Sequence, residues 1–250
     1  MTGTQPTSLH LDNPATPEME LELVRLLSER AQGRPLQYML GEWEFYGLPF
    51  EVGPGVLIPR QDTETLVDVA LDILRDSGKN SPEVLDLCSG SGCVAIAIKH
   101  HFPGAKVTAL EASDKALPFL EKNIALNGVD VACVNSDLRE YRHPFPVDVI
   151  VSNPPYIPRG DLPGLQTEVA HEPIVALDGG DDGLDFFRAI SRRYRNQLAP
   201  GGILLMEIGI GQQESAAEIL ASFGFVGISG HKDLNGIVRV IQAQVEEQKK

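Results

Sequence analysis

With 250 residues, 42% hydrophobic and 22% charged, the chain has room for one sizeable α/β domain and a small appendage, in proportions ordinary for a globular protein. Its formal net charge of −14 disfavours nucleic acid or an anionic membrane as a partner, because both carry the same sign. A small ligand or a basic protein surface suits it better.

In chain order, residues 1–16 are rich in Thr and Pro, with Asn13 among them, and are expected to be loose. Apolar residues then recur at helical spacing (Met19, Leu23, Leu26, Leu27) between Pro17 and the stop at Gly33, which predicts one amphipathic helix, too little to form a core alone. Residues 43–58 alternate aromatic and polar positions around Gly47-Leu48-Pro49 and Gly53-Pro54-Gly55 and read as a β-hairpin. A second helix is expected over 62–76. After Pro82, short apolar runs alternate with helical stretches. Strands are expected at 84–88, 106–111, 129–135, 147–153 and 202–208, and helices near 92–101, 113–127, 184–198 and 212–223. This alternation predicts an α/β fold, a parallel sheet covered by helices on both faces. Residues 226–230 and 236–243 lie close together and read as a closing hairpin with an antiparallel last strand. The division expected is a short helical segment over 1–40, a linker and hairpin over 41–60, and the main domain over 61–250.

Cys88, Cys93 and Cys133 form no Cys-x-x-Cys pair and no His-Glu-x-x-His pattern occurs, so neither disulfides nor a metal are expected. No signal peptide is indicated and no apolar run approaches the ~20 residues that span a bilayer, so a cytoplasmic protein is expected.

Asp86-Leu87-Cys88-Ser89-Gly90-Ser91-Gly92 joins the first sheet strand to a helix. Glycines there let the backbone approach a ligand, and the helix N-terminus favours an anion. Glu111 follows nineteen residues after Gly92, at a strand end, where an acid can hold both hydroxyls of a ribose. NAD and S-adenosylmethionine (SAM) sites share this plan. Here Cys93-Val94-Ala95 replaces the third glycine of a dinucleotide site, which favours SAM, a ligand without a pyrophosphate. Asp137-Leu138 ends the third strand. Either it meets adenine, with Asp137 accepting from the exocyclic amine, or it is a helix cap plus a core leucine.

Asn153-Pro154-Pro155-Tyr156 follows the fourth strand. An amide or arylamine nitrogen is a poor nucleophile because its lone pair is delocalised, whereas a sulfonium methyl is already activated. The task is alignment. The Asn153 side-chain oxygen and the Pro154 carbonyl can accept both N–H bonds of an NH₂ group and favour its pyramidalisation as charge develops. The prolines stiffen that carbonyl geometry, and Tyr156 offers a flat face to a planar substrate. No titrating base is required. The tetrapeptide thus points to SAM-dependent methylation of a planar nitrogen.

From Arg34 to about residue 241 the chain resembles the HemK/PrmC family, the peptide chain release factor glutamine N5-methyltransferases. The resemblance rests on Arg34-Pro35-Leu36-Gln37-Tyr38, on Glu44-Phe45-Tyr46-Gly47, and on Leu57-Ile58-Pro59-Arg60-Gln61-Asp62-Thr63-Glu64. It continues through the two motifs above, His171-Glu172-Pro173, Ala176-Leu177-Asp178-Gly179-Gly180-Asp181-Asp182-Gly183-Leu184, Glu207-Ile208-Gly209 and Asp233-Leu234-Asn235-Gly236-Ile237-Val238-Arg239. It implies a Rossmann-like, seven-stranded SAM-methyltransferase fold and methyl transfer to the glutamine of the Gly-Gly-Gln loop in release factors, with S-adenosyl-L-homocysteine as product. By motif match, Cys88, Ser89, Gly90, Ser91, Gly92, Glu111, Asp137, Leu138 and Asn153 would touch SAM. Asn153, Pro154, Pro155 and Tyr156 would hold the glutamine, with Asn153, Pro154 and Tyr156 carrying the catalysis. The turn from Pro59 to Thr63 would close over the methionine end. Two positions depart from the usual pattern: Cys88 stands where many such enzymes have glycine, and Glu111 is longer than the usual Asp. The family usually carries a multi-helix N-terminal domain that grips the release factor, whereas one clear helix precedes Arg34 here. A monomer is expected.

The alternatives are N5-glutamine methylation of a ribosomal protein and N6-adenine methylation of nucleic acid, where the same tetrapeptide holds a flipped base. Asp62-Thr63-Glu64 favours the release-factor branch over the first, and the charge argues against the second. A binding module that has lost turnover is disfavoured by the intact tetrapeptide. An NAD-dependent oxidoreductase is disfavoured because no hydride-handling His or Tyr-x-x-x-Lys pair is suitably placed.

Overall fold

A computed structural model describes residues 15–247. Most of the Thr- and Pro-rich start, residues 1–14, lies outside the described residues. Helix α1 (Pro17–Ala31) is capped by Thr16, whose Oγ1 accepts the Met19 amide at 3.2 Å. None of its residues is buried, and Leu21, Val24 and Leu27 stand exposed. A short helix that the periodicity did not mark, α2 (Leu36–Leu40), ends in left-handed Gly41.

Strands β1 (Glu42–Phe45) and β2 (Leu48–Glu51) form the expected hairpin, but a shorter one. Its two-residue turn, Tyr46-Gly47, has φ of 53° and 73°, the positive pair that a type I′ turn requires. Pairing stops at Glu51, because the Gly53-Pro54-Gly55 stretch turns the chain off the sheet. Residues 52–60 run on as an extended strap. Phe45 and Phe50 meet edge to face and are buried in the main core.

A 3₁₀ turn (Gln61–Thr63) leads into α3 (Glu64–Asp76). The alternating part follows: β3 (Glu83–Leu87), α4 (Cys93–His101), β4 (Lys106–Glu111), α5 (Leu117–Asn127), β5 (Val131–Asn135), β6 (Val147–Ser152), α6 (Asp185–Tyr194), β7 (Leu198–Glu207), α7 (Gln213–Ser222), β8 (Val226–Lys232) and β9 (Val238–Gln244). The seven strands β3 to β9 lie in the order β5-β4-β3-β6-β7-β9-β8. The five from β5 to β7 in that order are parallel, while β9 pairs antiparallel with both β7 and β8. The expected seven-stranded sheet with an antiparallel last strand is present.

Alternate side chains of each strand feed two cores, as a period of two demands. Val84, Val149 and Val151 face α3, α4, α5 and the hairpin, while Leu85, Leu87 and Ile150 face α6 and α7. Parallel strands covered on both faces must be apolar on both faces, which explains the unbroken runs in the sequence. Among the described residues, no helix is long and apolar enough to cross a membrane, and no cluster of His, Cys, Asp and Glu could hold a metal ion.

Candidate active site

The strand order reverses between β3 and β6, and ligands of open α/β sheets bind beyond the carboxyl ends of strands at that point. Leu87 and Ser152 are paired in register, so Cys88 and Asn153 leave the sheet side by side. Here a cleft of 510 Å³ opens. Cys88, Ser89, Gly90, Ser91, Glu111, Asp137, Leu138, Asn153 and Pro155 all line it. Gly92, Pro154 and Tyr156 do not. Gly92 has φ +82° at the head of α4, where a side chain would collide with Leu120, so its place there is structural.

Cys88 adopts φ +60°, the left-handed conformation a glycine takes without strain. Burial pushes its thiol pKa up, and the charges of Glu111 and Asp86 add to the rise. The Glu111 carboxylate clasps the loop from across the cleft. Its Oε2 accepts the Gly90 amide at 2.7 Å, and its Oε1 accepts the amides of Ala112 and Ser113 at 3.0 and 2.7 Å.

Asp86 lies deeper, 1% exposed, with Oδ2 lacking any hydrogen-bond partner. Burial pushes its carboxyl pKa up to about 7, while the Ser89 hydroxyl donates to the Asp86 main-chain carbonyl at 3.0 Å. A desolvated carboxylate without a cation is a seat for an ammonium group. At the opposite end, Leu110, Leu138 and Phe186 form an apolar slot, with the Arg139 guanidinium 5.2 Å from the Phe186 ring centre. Asp137 Oδ1 accepts the Arg139 amide at 2.7 Å, so Asp137 caps its turn while also facing the cleft. An apolar slot, a carboxylate at a strand end and a lone buried carboxylate together fit an adenosine that bears a cationic amino-acid tail.

The far wall is the strap. Tyr38 donates to the Val56 carbonyl at 2.5 Å. Glu172, buried, accepts the Ile58 amide at 3.0 Å and ion-pairs with Arg60. The His171-Glu172-Pro173 block therefore ties the strap to the loop after β6, leaving Ile174 and Val175 exposed at the lip of the cleft.

The tetrapeptide loop is held by its backbone. Ile157 bonds Leu177 and Gly179 at 3.0 and 2.9 Å, and Gln212 donates to the Tyr156 carbonyl at 2.8 Å. A side chain at Gly179 or Gly183 would run into the Tyr156 main chain, which accounts for glycines in that block. Among the described residues no group donates to the Pro154 carbonyl. Asn153 Nδ2 donates to Thr63 Oγ1 at 3.1 Å, which leaves its Oδ1 open at the cleft. The Tyr156 hydroxyl donates to Oε1 of buried Glu207 at 3.1 Å, and burial drives the Tyr156 pKa up.

Phe186, Arg139, Ile174 and Val175 had no signal in the sequence. Phe186 sits beside core Phe187 on one helix, and only the direction each ring takes distinguishes them. Glu207 was visible only as part of the Glu207-Ile208-Gly209 block. Its burial beneath Tyr156 was not.

The methyltransferase small domain family model matches residues 63–174. The chain is 43% identical to the release factor glutamine methyltransferase of Geobacter sulfurreducens over 95% of its own length and 82% of that protein. It is 37% identical to the protein of the same name from Thermodesulfovibrio yellowstonii over 94% of its own length and 86% of that protein. Among solved structures it is similar in fold to a methyltransferase from Pyrococcus furiosus, with a TM-score of 0.59, 18% identity, and coverage of 91% of this chain and 99% of that one.

Proposed function

The chain belongs to the release factor glutamine methyltransferase family, and on that premise we propose that it methylates the side-chain amide nitrogen (N5) of the glutamine in the Gly-Gly-Gln loop of a peptide chain release factor. Bound SAM supplies a methyl group on a sulfonium and leaves as S-adenosyl-L-homocysteine. Asp86 receives the methionyl ammonium, Glu111 the ribose, and Leu138 with Phe186 the adenine. Glu111 exchanges its backbone partners in the loop for the ribose hydroxyls.

The observation that carries the reading is the pair of open acceptors beside the loop. Asn153 lines the cleft, Pro154 follows it just behind the lining, and among the described residues neither Asn153 Oδ1 nor the Pro154 carbonyl meets a protein donor. Two such acceptors fit the two N–H bonds of a primary amide and orient its lone pair toward the methyl group. As the N–C bond forms, the amide conjugation is lost and positive charge builds on nitrogen, which both acceptors stabilise. The extra proton then leaves to solvent. Pro155 stiffens the loop, and Tyr156, held through its hydroxyl, offers its ring to the flat amide. The net charge of −14 supports a protein substrate over a nucleic acid.

The experiment is incubation with SAM and a release factor, followed by peptide mass spectrometry. One methyl on the loop glutamine is expected. Methyl transfer to nucleic acid instead, or to nothing, overturns the reading.

A further inference from the structure

A primary amide has two ends of nearly equal shape and opposite hydrogen-bonding sense. Turned one way, Asn153 offers the cleft an oxygen that accepts from a substrate NH₂. Turned the other way, it offers an NH₂ of its own, and donor meets donor. The tetrapeptide does not decide between these, because a side-chain amide can rotate within it.

Asn153 Nδ2 lies 3.1 Å from Thr63 Oγ1. That contact alone does not fix the sense either, since a hydroxyl can donate to an amide oxygen as readily as accept from an amide nitrogen. The deciding question is where the single Thr63 proton goes. Thr63 is 2% exposed, so water does not take it. Among the described residues the hydroxyl donates to no backbone carbonyl. Beside it is the Glu207 carboxyl, also 2% exposed and within reach of the Thr63 hydroxyl's influence. One Glu207 oxygen accepts from Tyr156, and the other, Oε2, is buried with no partner. An unplaced proton and an unfilled acceptor thus sit together.

We propose that Thr63, backed by Glu207, is a positioning residue that sets the donor–acceptor sense of the substrate site, holding the Asn153 amide with its oxygen toward the cleft. Once ionised, the Glu207 carboxylate only accepts. It draws the Thr63 proton to itself and leaves the Thr63 oxygen as an acceptor. That oxygen can be satisfied only by Asn153 Nδ2, so Oδ1 turns to the cleft. Tyr156 donates to the same carboxylate, so both flanks of the substrate site are oriented by one buried acid. The line runs from the end of β6, through the turn before α3, to the end of β7. The role rests on the glutamine reading above, because only a substrate that donates needs an acceptor there.

The test compares Thr63→Val, which keeps the shape and removes the hydroxyl, with Thr63→Ser, which restores it, and with Glu207→Gln, which can donate at position 207. Methylation of a release factor gives kcat, calorimetry gives SAM affinity, and the Asn153 side-chain NH₂ resonances report the amide directly. Thr63→Val is expected to lower kcat by about 10- to 100-fold, the cost of misorienting a group at the reacting centre, while SAM affinity, which Thr63 can touch only as part of the cleft wall, changes by a smaller factor than kcat. Thr63→Ser is expected to recover most of that loss, and Glu207→Gln to fall as Thr63→Val does. The Asn153 resonances should move in Thr63→Val and stay in Thr63→Ser. Full kcat in Thr63→Val, no rescue by serine, or SAM affinity falling in step with kcat would overturn the role. A wild type that methylates no release factor defeats the glutamine reading instead, and the Asn153 resonances then decide the Thr63 role alone.

Discussion

Ser152 donates its hydroxyl to the Leu87 carbonyl at 2.7 Å, bonding the last residue of β6 to the last residue of β3 across 65 positions of sequence. The bond lies directly beneath the cleft. One residue further along each strand, the chain becomes the glycine loop on one side and the Asn153 loop on the other. The glycine loop and the Asn153 loop, proposed above to hold the methyl donor and the acceptor nitrogen, are therefore tied at their roots by this bond in addition to the parallel pairing of β3 with β6, which keeps their separation nearly constant.

Asn153→Ala removes one of the two open acceptors and leaves the SAM wall intact. The expected result is a loss in kcat of about 10²- to 10³-fold, the range for deleting one preorganised polar group at a reacting centre. SAM affinity by calorimetry should stay within a few-fold of wild type. A parallel collapse of SAM binding would place Asn153 on the cofactor instead.

Asp86→Asn should separate stability from binding. The Asp86 pKa is raised by burial to about 7 from an ordinary 3.8. The ligand-free folded protein thus keeps a proton that the unfolded chain has already released, so the stability from this group is full at low pH and is lost as pH rises toward 7. Glu207, raised by burial to about 7, acts in the same direction. Denaturant unfolding of the ligand-free protein should show stability falling from about pH 4 to about pH 7, less steeply in Asp86→Asn. SAM affinity should rise over the same interval as the carboxylate ionises, and Asp86→Asn should flatten that rise while binding SAM more weakly.

Phe186→Ala should weaken SAM binding while sparing the chemistry. The ring and Leu138 wall the apolar end of the cleft, the end proposed for adenine, and the ring carries the Arg139 guanidinium on it. Losing one aromatic wall is worth on the order of 1–2 kcal/mol, hence about a tenfold rise in Kd. Turnover at saturating SAM should stay near wild type.

Glu172→Ala should loosen the strap. It leaves the Ile58 amide without its partner and Arg60 without its ion pair. Because Arg60 is partly exposed, the loss of stability is expected at about 2 kcal/mol, below the range for a wholly buried pair. The check is the midpoint of denaturant unfolding. Faster SAM dissociation in stopped flow should accompany it, since the strap forms one wall of the cleft.

Much of this protein follows from local sequence alone. The alternation of apolar runs and helical stretches after Pro82 determined the parallel sheet, because each run had to be apolar on both faces. The short gap between the last two runs determined the antiparallel end. The glycine loop, Glu111 and the Asn153 tetrapeptide were legible because their chemistry needs particular residue types at particular ends of strands. The hairpin's length, α2 and the strap were not legible, since glycine and proline mark where the chain turns and not what it then packs against. Only the tertiary structure brought Thr63 to Asn153 and Glu207 to Tyr156, and only it left Asp86 Oδ2 without a partner. These are facts of burial and hydrogen-bond satisfaction between segments up to 90 residues apart. No local pattern encodes them, because a buried polar group is defined by which neighbours the whole fold brings to it.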